Sequence, residues 1–350
     1  MATIRSYTNA YELSDLVQAI NTIPNIWDLT ASLNLFTSQG VTGPSVTLEE
    51  IDKNFAMIPD RIRGERASVG KDYARRLRSF AIPHFPHDEY ITPQDVEGQV
   101  AWNTQGRNDQ YETLAAVRAR KLERARMNHA LTLEGARVHT LVTGVSYAPN
   151  QTVQYDWYSE FGKEREVIDF NLDVATTNVI DVLETVYTSM QDKGLTGSVF
   201  GGQIIAITSP EFFRALVTHP QIVEAYRSYQ ITRNTAPNLL VDRLTNTMGL
   251  DSRYRDFVWG NIRFVEYRGT YIDGSRIVPA GDAYFLPRGI EDAFVTYFAP
   301  CSKFGYLNTI GQEMYAFEYP DEKDEKITIE TETNFINVLR RPHLVIRGTM

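Results

Sequence analysis

The 350-residue chain carries 35 basic and 44 acidic side chains, a formal net charge of −9, and is 43% hydrophobic and 11% aromatic. That balance describes a globular chain of about two domains with a sizeable core, and its acidity excludes a protein that grips nucleic acid along its whole surface. A lone cysteine, Cys301, excludes an intrachain disulfide framework, no run approaches the roughly 20 apolar residues of a membrane-spanning helix, and the N-terminus lacks the basic and apolar regions of a signal peptide, so synthesis in the cytosol is expected.

Residues 1–55 read as an arm. A short helix is predicted from Asn9 through Ile20 on Tyr11, Leu16, Val17 and Ile20, stopped by Pro24. Leu29, Leu33, Leu35, Phe36 and Val41 follow, and Ser45 to Leu48 is strand-like. The arm is acidic: Glu12, Asp15, Asp28, Glu49, Glu50 and Asp52 stand against Arg5 and Lys53. Residues 56–100 read as an extended loop of opposite charge. Between Asp60 and Ile82 lie Arg61, Arg63, Arg66, Lys71, Arg75, Arg76 and Arg78, opposed by Asp60, Glu65 and Asp72. Pro83, Pro86 and Pro93 then hold the chain extended. A loop this long makes sense inside a compact fold when it is built to lie on another molecule. The expected inter-subunit contacts are these seven cations with Glu49, Glu50 and Asp52, and apolar adhesion from Phe80, Leu33, Leu35 and Phe36.

Asp109 and Glu112 suggest a capping box, from which a proline-free helix runs to about Thr143, roughly 50 Å long. Tyr111, Leu114, Leu122, Ala125, Leu133 and Ala136 fall on one narrow face, and Arg118, Arg120, Lys121, Arg124 and Arg126 on the others. The spacing predicts a helix covered on one side only. A hairpin about Pro149-Asn150, a strand over Glu166 to Asp173 and a helix from Thr177 to Gln191 come next. The buried strand Ile204–Ile207 precedes a helix from Pro210 into Tyr226. Further strands are expected around Phe257–Trp259, Ile262–Tyr267, Ala283–Leu286, Phe294–Phe298, Met314–Tyr319, Ile327–Thr331 and Leu344–Ile346, with Asp321 to Lys326 as a charged turn.

The run Thr296-Tyr297-Phe298-Ala299-Pro300, then Gly311, Tyr315, Glu330-Thr331-Glu332-Thr333-Asn334 and Leu339-Arg340-Arg341-Pro342-His343-Leu344-Val345 resembles the C-terminal pattern of the major capsid protein E family of lambda-like tailed bacteriophages. His129-Ala130-Leu131-Thr132-Leu133-Glu134 and the order of arm, basic loop and long helix resemble it too. The resemblance implies an α+β fold of the Hong Kong 97-like phage capsid type. Its parts are an N-terminal arm (1–55), an extended loop (56–100), a peripheral domain with a spine helix (101–175 and 308–350) and an axial domain (176–307). It implies a structural protein of the virion, assembled in the bacterial cytoplasm into hexamers and pentamers of an icosahedral head around dsDNA. A separate scaffolding protein, a portal, a maturation protease and a decoration or cement protein are the implied partners, and the DNA is held only by non-specific proximity. Relatives crosslink a loop lysine to an asparagine; Lys71 with Asn334 or Asn337 would be the counterparts, although the lambda-like branch implies no crosslink. An encapsulin-like nanocompartment shell is the alternative on the same fold, and an α+β enzyme without a visible motif is a third.

No catalytic, cofactor or metal site is expected. Gly144-Val145-Ser146-Tyr147-Ala148 lacks the last glycine of a nucleophile elbow, and Gly201-Gly202 lacks the Gly-Lys-Ser/Thr of a phosphate loop. His84, His87, Asp88 and Glu89 sit in a proline turn without a second ligand pair, and His129 and His139 lie about 80° apart on the helix. Cys301 reads as a small packed residue, and Arg340-Arg341 as an ion-paired strand end.

Overall fold

The computed structural model describes residues 14–15, 20, 29–51, 75–97, 113–150, 154–194, 203–225, 254–290, 292–323 and 325–350. In chain order the first elements are β1 (Ser14–Asp15), α1 (Leu29–Ser32), β2 (Thr37–Gly40), β3 (Ser45–Ile51), β4 (Arg75–Ala81) and β5 (His84–Ile91). The long helix α2 (Leu114–Thr143), α3 (Trp157–Glu160), β6 (Val167–Asp169), α4 (Val179–Gly194), β7 (Ile204–Thr208) and α5 (Pro210–Thr218) follow. The chain closes with β8 (Asp256–Trp259), β9 (Ile262–Glu266), β10 (Asp282–Pro287), β11 (Phe294–Phe298), β12 (Tyr315–Pro320), β13 (Ile327–Leu339) and β14 (Ile346–Thr349).

Three sheets form. The first has the order β1-β12-β13-β11-β2, with β5 also on β13. Strand β13 is its axle. Residues 327–332 pair with β12 and 327–334 with β5, while 335–339 turn to β11. The strand runs on past its expected end at Thr331 to Leu339, through Asn334 and Asn337, residues of low strand propensity. Tertiary hydrogen bonds hold them there: Thr296 donates to Asn337 Oδ1 at 2.8 Å, and Asn334 donates to the Pro300 carbonyl at 3.3 Å. The second sheet has the order β6-β14-β10-β7-β9-β8, and both its faces are covered. Ile204, Ala206, Ala283, Phe285 and Phe264 pack under α4 and α5, while Ile205, Ile207, Tyr284, Leu286 and Val265 face the central core. Burial on both faces is why these strands read as unbroken apolar runs. The third sheet is the ribbon β3–β4 alone.

Several boundaries differ from expectation. Ser14 and Asp15 pair with Glu318 and Phe317 as a strand, inside the segment predicted helical; the rest of that helix, Ile20 excepted, lies outside the described residues. The sheets draw strands from several segments of the chain. Strand β3, assigned to the arm, pairs with β4 of the loop, and β5 of the loop lies in the first sheet. Strand β11 joins the first sheet, whereas β6 and β14 join the second.

Helix α2 begins at Thr113, whose hydroxyl accepts the Ala116 N–H at 3.2 Å, and ends at Gly144 with φ +79°. Its 30 residues span about 45 Å. The expected capping box at Asp109 lies outside the described residues. Leu122, Ala125, Leu133 and Ala136 are buried as predicted, but Leu114 is exposed. The last turns are buried nearly all round, through Arg137, Val138, Thr140, Leu141 and Val142, a correction to the one-sided helix. The cause is that α2 runs from the open edge of the first sheet into the core between the sheets, where Val138, Leu141 and Val142 meet Ile205, Tyr284 and Ile336.

The connection from β11 back to β12 is pinned where Gly311 passes Phe298. A Cβ there would lie 2.0 Å from the Phe298 carbonyl oxygen, and the Gly311 N–H donates to Val41 at 2.9 Å. Gly311→Ala is therefore expected to destabilise by about 1–3 kcal/mol, and Gly305→Ala, in open space, to leave stability unchanged. Thermal denaturation of the two variants checks the contrast.

Candidate assembly surfaces

Opposite charges meet across the ribbon. Glu50 pairs in register with Arg76, Ile51 with Arg75, Glu49 with Leu77, Leu48 with Arg78 and Val46 with Phe80. Cross-strand neighbours of opposite charge stabilise such a pair by roughly 0.2–1 kcal/mol. The acidic arm strand and the basic loop strand are thus partners within one chain. Asp52, Arg61, Arg63, Arg66 and Lys71 lie outside the described residues.

Burial falls along the ribbon as it leaves the body. Phe80 is 2% exposed, with its ring edge-on to Tyr155 at 5.0 Å and Trp157 at 5.1 Å. Arg78 is half-buried, bonded to Glu160 at 2.9 Å and lying 5.9 Å from the Phe161 ring centre. Beyond it Arg76 is exposed and Leu77 is 73% exposed. The expectation that Phe80, Leu33, Leu35 and Phe36 adhere to a neighbour is corrected: the first three are buried in the central core of this chain. Phe36 packs against that core and lies 5.5 Å from the Arg137 guanidinium. An apolar side chain already removed from water gains nothing further by docking. Asn334 and Asn337 are buried as well and hydrogen-bonded inside the first sheet.

The basic faces of α2, read from sequence as solvated, bind the first sheet. Arg118 donates to Glu318 of β12 at 2.6 Å, Arg124 to both oxygens of Glu89 on β5 (Nε to Oε1, 2.7 Å), and Lys121 to Asp95 at 3.3 Å. Burial pushes the Glu89 carboxyl up, but the Arg124 hydrogen bonds and charge outweigh it and hold the group below its ordinary value. At the inner end Glu134 is buried, and its carboxylate accepts the Thr30 hydroxyl at 2.6 Å and the Thr30 N–H at 3.2 Å, which ties α1 to α2.

A second exposed element escaped sequence reasoning. The β11–β12 connection shows Phe304 (96% exposed), Leu307 and Ile310 to solvent. It is held at Gly311 and by the Tyr306 ring, 5.2 Å from Tyr315 and 5.7 Å from Phe317. Large apolar side chains displayed together mark contact surfaces. Their three-residue spacing in a polar, glycine-containing stretch was the available signal.

Residues 12–350 match the model of the family described as phage major capsid protein E. The chain belongs to that family. Among its relatives, the major capsid protein of Pseudomonas phage KPP10 is 50% identical, with 99% of each chain covered. That of Salmonella phage Felix O1 is 27% identical over 97% of this chain and 96% of its own. The fold is similar to the mature capsid of bacteriophage PhiM1 (TM-score 0.50, 15% identity, 90% of this chain and 84% of that one). It is also similar to a putative prophage capsid protein of E. coli CFT073 (TM-score 0.52, 10% identity, 79% of each chain). The fold is of the Hong Kong 97-like capsid type, mixed α/β.

Members of the phage major capsid protein E family are structural proteins, not enzymes, and the side chains weighed for chemistry are used structurally here. The Ser146 hydroxyl is buried and accepts the Tyr155 N–H at 3.0 Å. Burial pushes the Cys301 thiol up to about 11. Arg340 pairs with Asp292 at 3.4 Å. Among the described residues no group of three or more His, Cys, Asp or Glu is placed to hold a metal, and no helix is long and apolar enough to cross a membrane.

The burial gradient along the ribbon has a measurable consequence. Phe80→Ala is expected to destabilise the isolated chain by about 3–5 kcal/mol, and Leu77→Ala by less than about 0.5. Denaturant unfolding of both variants tests the gradient.

Proposed function

We propose that copies of this chain join as hexamers and pentamers into the icosahedral head of a tailed bacteriophage, enclosing its dsDNA. The observation that carries this is 50% identity over 99% of both chains with a phage major capsid protein. The extended loop, 56–100, overlaps a neighbour, with the outer part of the ribbon β3–β4 as its described portion. Helix α2 and the first sheet form the peripheral domain; the second sheet with α4 and α5 forms the axial domain. Scaffold, portal, maturation protease and any decoration protein act as separate chains, and the DNA is met without sequence contacts.

The physical support is the ribbon's division of labour. Its root, Phe80 and Val46, is consumed by the core, so only the outer half, with Arg76 and Leu77, is free to meet another subunit. Exposed ion pairs are worth about 0–1 kcal/mol each and weaken with salt, so charge there sets register and encounter while apolar contact supplies adhesion. Arg75→Glu with Arg76→Glu leaves the Arg78–Glu160 anchor intact. This double variant is expected to lower the melting temperature of the monomer only slightly, because a glutamate at position 76 would then face Glu50, and to lose shell closure, read by electron microscopy and sedimentation of the protein expressed with its head partners. Normal shells from it overturn the role of the ribbon. A parent chain that closes alone into small uniform shells around a protein cargo supports the nanocompartment instead.

A further inference from the structure

Four of the six histidines gather about one groove of roughly 610 Å³ between α2, β5 and the 270–277 turn. His84, His87 and His129 line it, and His139 reaches it through Tyr271, whose hydroxyl lies 2.5 Å from His139 Nδ1. His129 is the buried member, with its ring edge-on to His87 of β5 at 6.0 Å. Its Nε2 lies 2.9 Å from the Thr331 hydroxyl of β13, and that hydroxyl gives its one proton to the His87 carbonyl at 2.6 Å. Thr331 can then only accept from His129, so the ring carries its proton on Nε2 and takes up a second at Nδ1.

The surroundings oppose that second proton. Facing His129 are His87 on β5, Arg126 on its own helix, and the uncharged Thr331 on β13. Glu89 of β5 is gripped by Arg124 and faces His87 at 3.6 Å, so it is already committed. An imidazolium at His129 would be a buried cation beside two basic groups. Relief is available in one direction only. Here α2 is fastened to β5 by the Asn128–His87 contact at 3.3 Å, by the Arg124–Glu89 pair and, through Thr331 of β13, by the His129 relay, and parting them admits water to the ring.

We propose that the His87–His129 pair is an acid-operated latch, which releases the outer part of helix α2 from strand β5 when His129 takes its second proton. Burial, followed by His87 and Arg126, lowers the His129 pKa from 6.5 to about 4. The sign follows: the opened state binds the proton and the closed state refuses it, so closure is favoured above pH 6.5 and loses that advantage progressively as the pH falls to about 4. Across that window the opening equilibrium shifts by up to about two orders of magnitude.

Hydrogen exchange read by mass spectrometry on the full chain, at several values between pH 7 and pH 4 and corrected for intrinsic rates, tests the latch. Peptides covering 84–91 and 118–132 are expected to lose protection by at least about tenfold toward pH 4, while 204–208 and 282–287 of the second sheet keep theirs. His129→Gln can still donate to Thr331 but takes up no proton, and is expected to hold protection at pH 4. Should it not fold, His87→Gln, on the groove side, removes the facing basic ring and is expected to move the release to lower pH. Release at the parent's pH in the folded variants, or loss of protection in both sheets together, overturns the proposal.

Discussion

Everything in this fold leans on β13, a 13-residue strand hydrogen-bonded along both edges and crossed by a 30-residue helix. The pleat sorts what each neighbour receives. Ile329 and Thr331 face α2, as do Glu89 on β5 and Glu318 on β12, whereas Glu330 faces the opposite side and binds Lys303 at 2.6 Å. Past Thr333 the same strand turns to β11 and places Ile336 and Val338 in the central core. One strand therefore joins the open edge of the first sheet to the packing between the two sheets.

The seam between α2 and that sheet has unusual chemistry. Its outer half is ionic, with Arg118, Lys121 and Arg124 each meeting a carboxylate of the sheet side. Its inner half is mainly apolar, with Leu133 and Ala136 against Phe298 and Phe335, and one buried polar contact from Arg137 to Thr296 at 3.1 Å. Ion pairs that are partly solvated hold geometry more than they add stability, whereas the apolar half is held by burial. The histidine pair sits at the junction, where the seam is buried but still polar. A subunit that must hold its shape and yet tolerate adjustment in a closed shell is well served by firm inner packing and an outer seam of polar contacts.

Much of the architecture was legible in advance, and the reasons are specific. The unbroken Ile204–Ile207 run announced a strand covered on both faces, and the proline-free stretch to Thr143 announced the long helix. The ordered motifs from Thr296 to Val345 pointed to the capsid family before any coordinates. What misled was charge. Five cations on α2 looked solvated because sequence shows the helix but not the carboxylates opposite, which come from residues up to 200 positions away. Likewise the acidic and basic segments looked like two molecules' surfaces. They pair instead as β3 and β4 of one ribbon.

The sequence by itself determined the family, the elements and the sign of each charged segment, because periodicity, breakers and motif order are local properties. Only the tertiary structure decided which apolar side chains are spent in the core and which remain for a partner. Phe80 and Leu77 are three residues apart on one strand, yet the first is sealed beneath Trp157 and the second stands in water. Alternation puts them on opposite faces, but it does not say which face meets the body. That is set by contacts of Phe80 and Arg78 with Trp157 and Glu160 of α3, far along the chain.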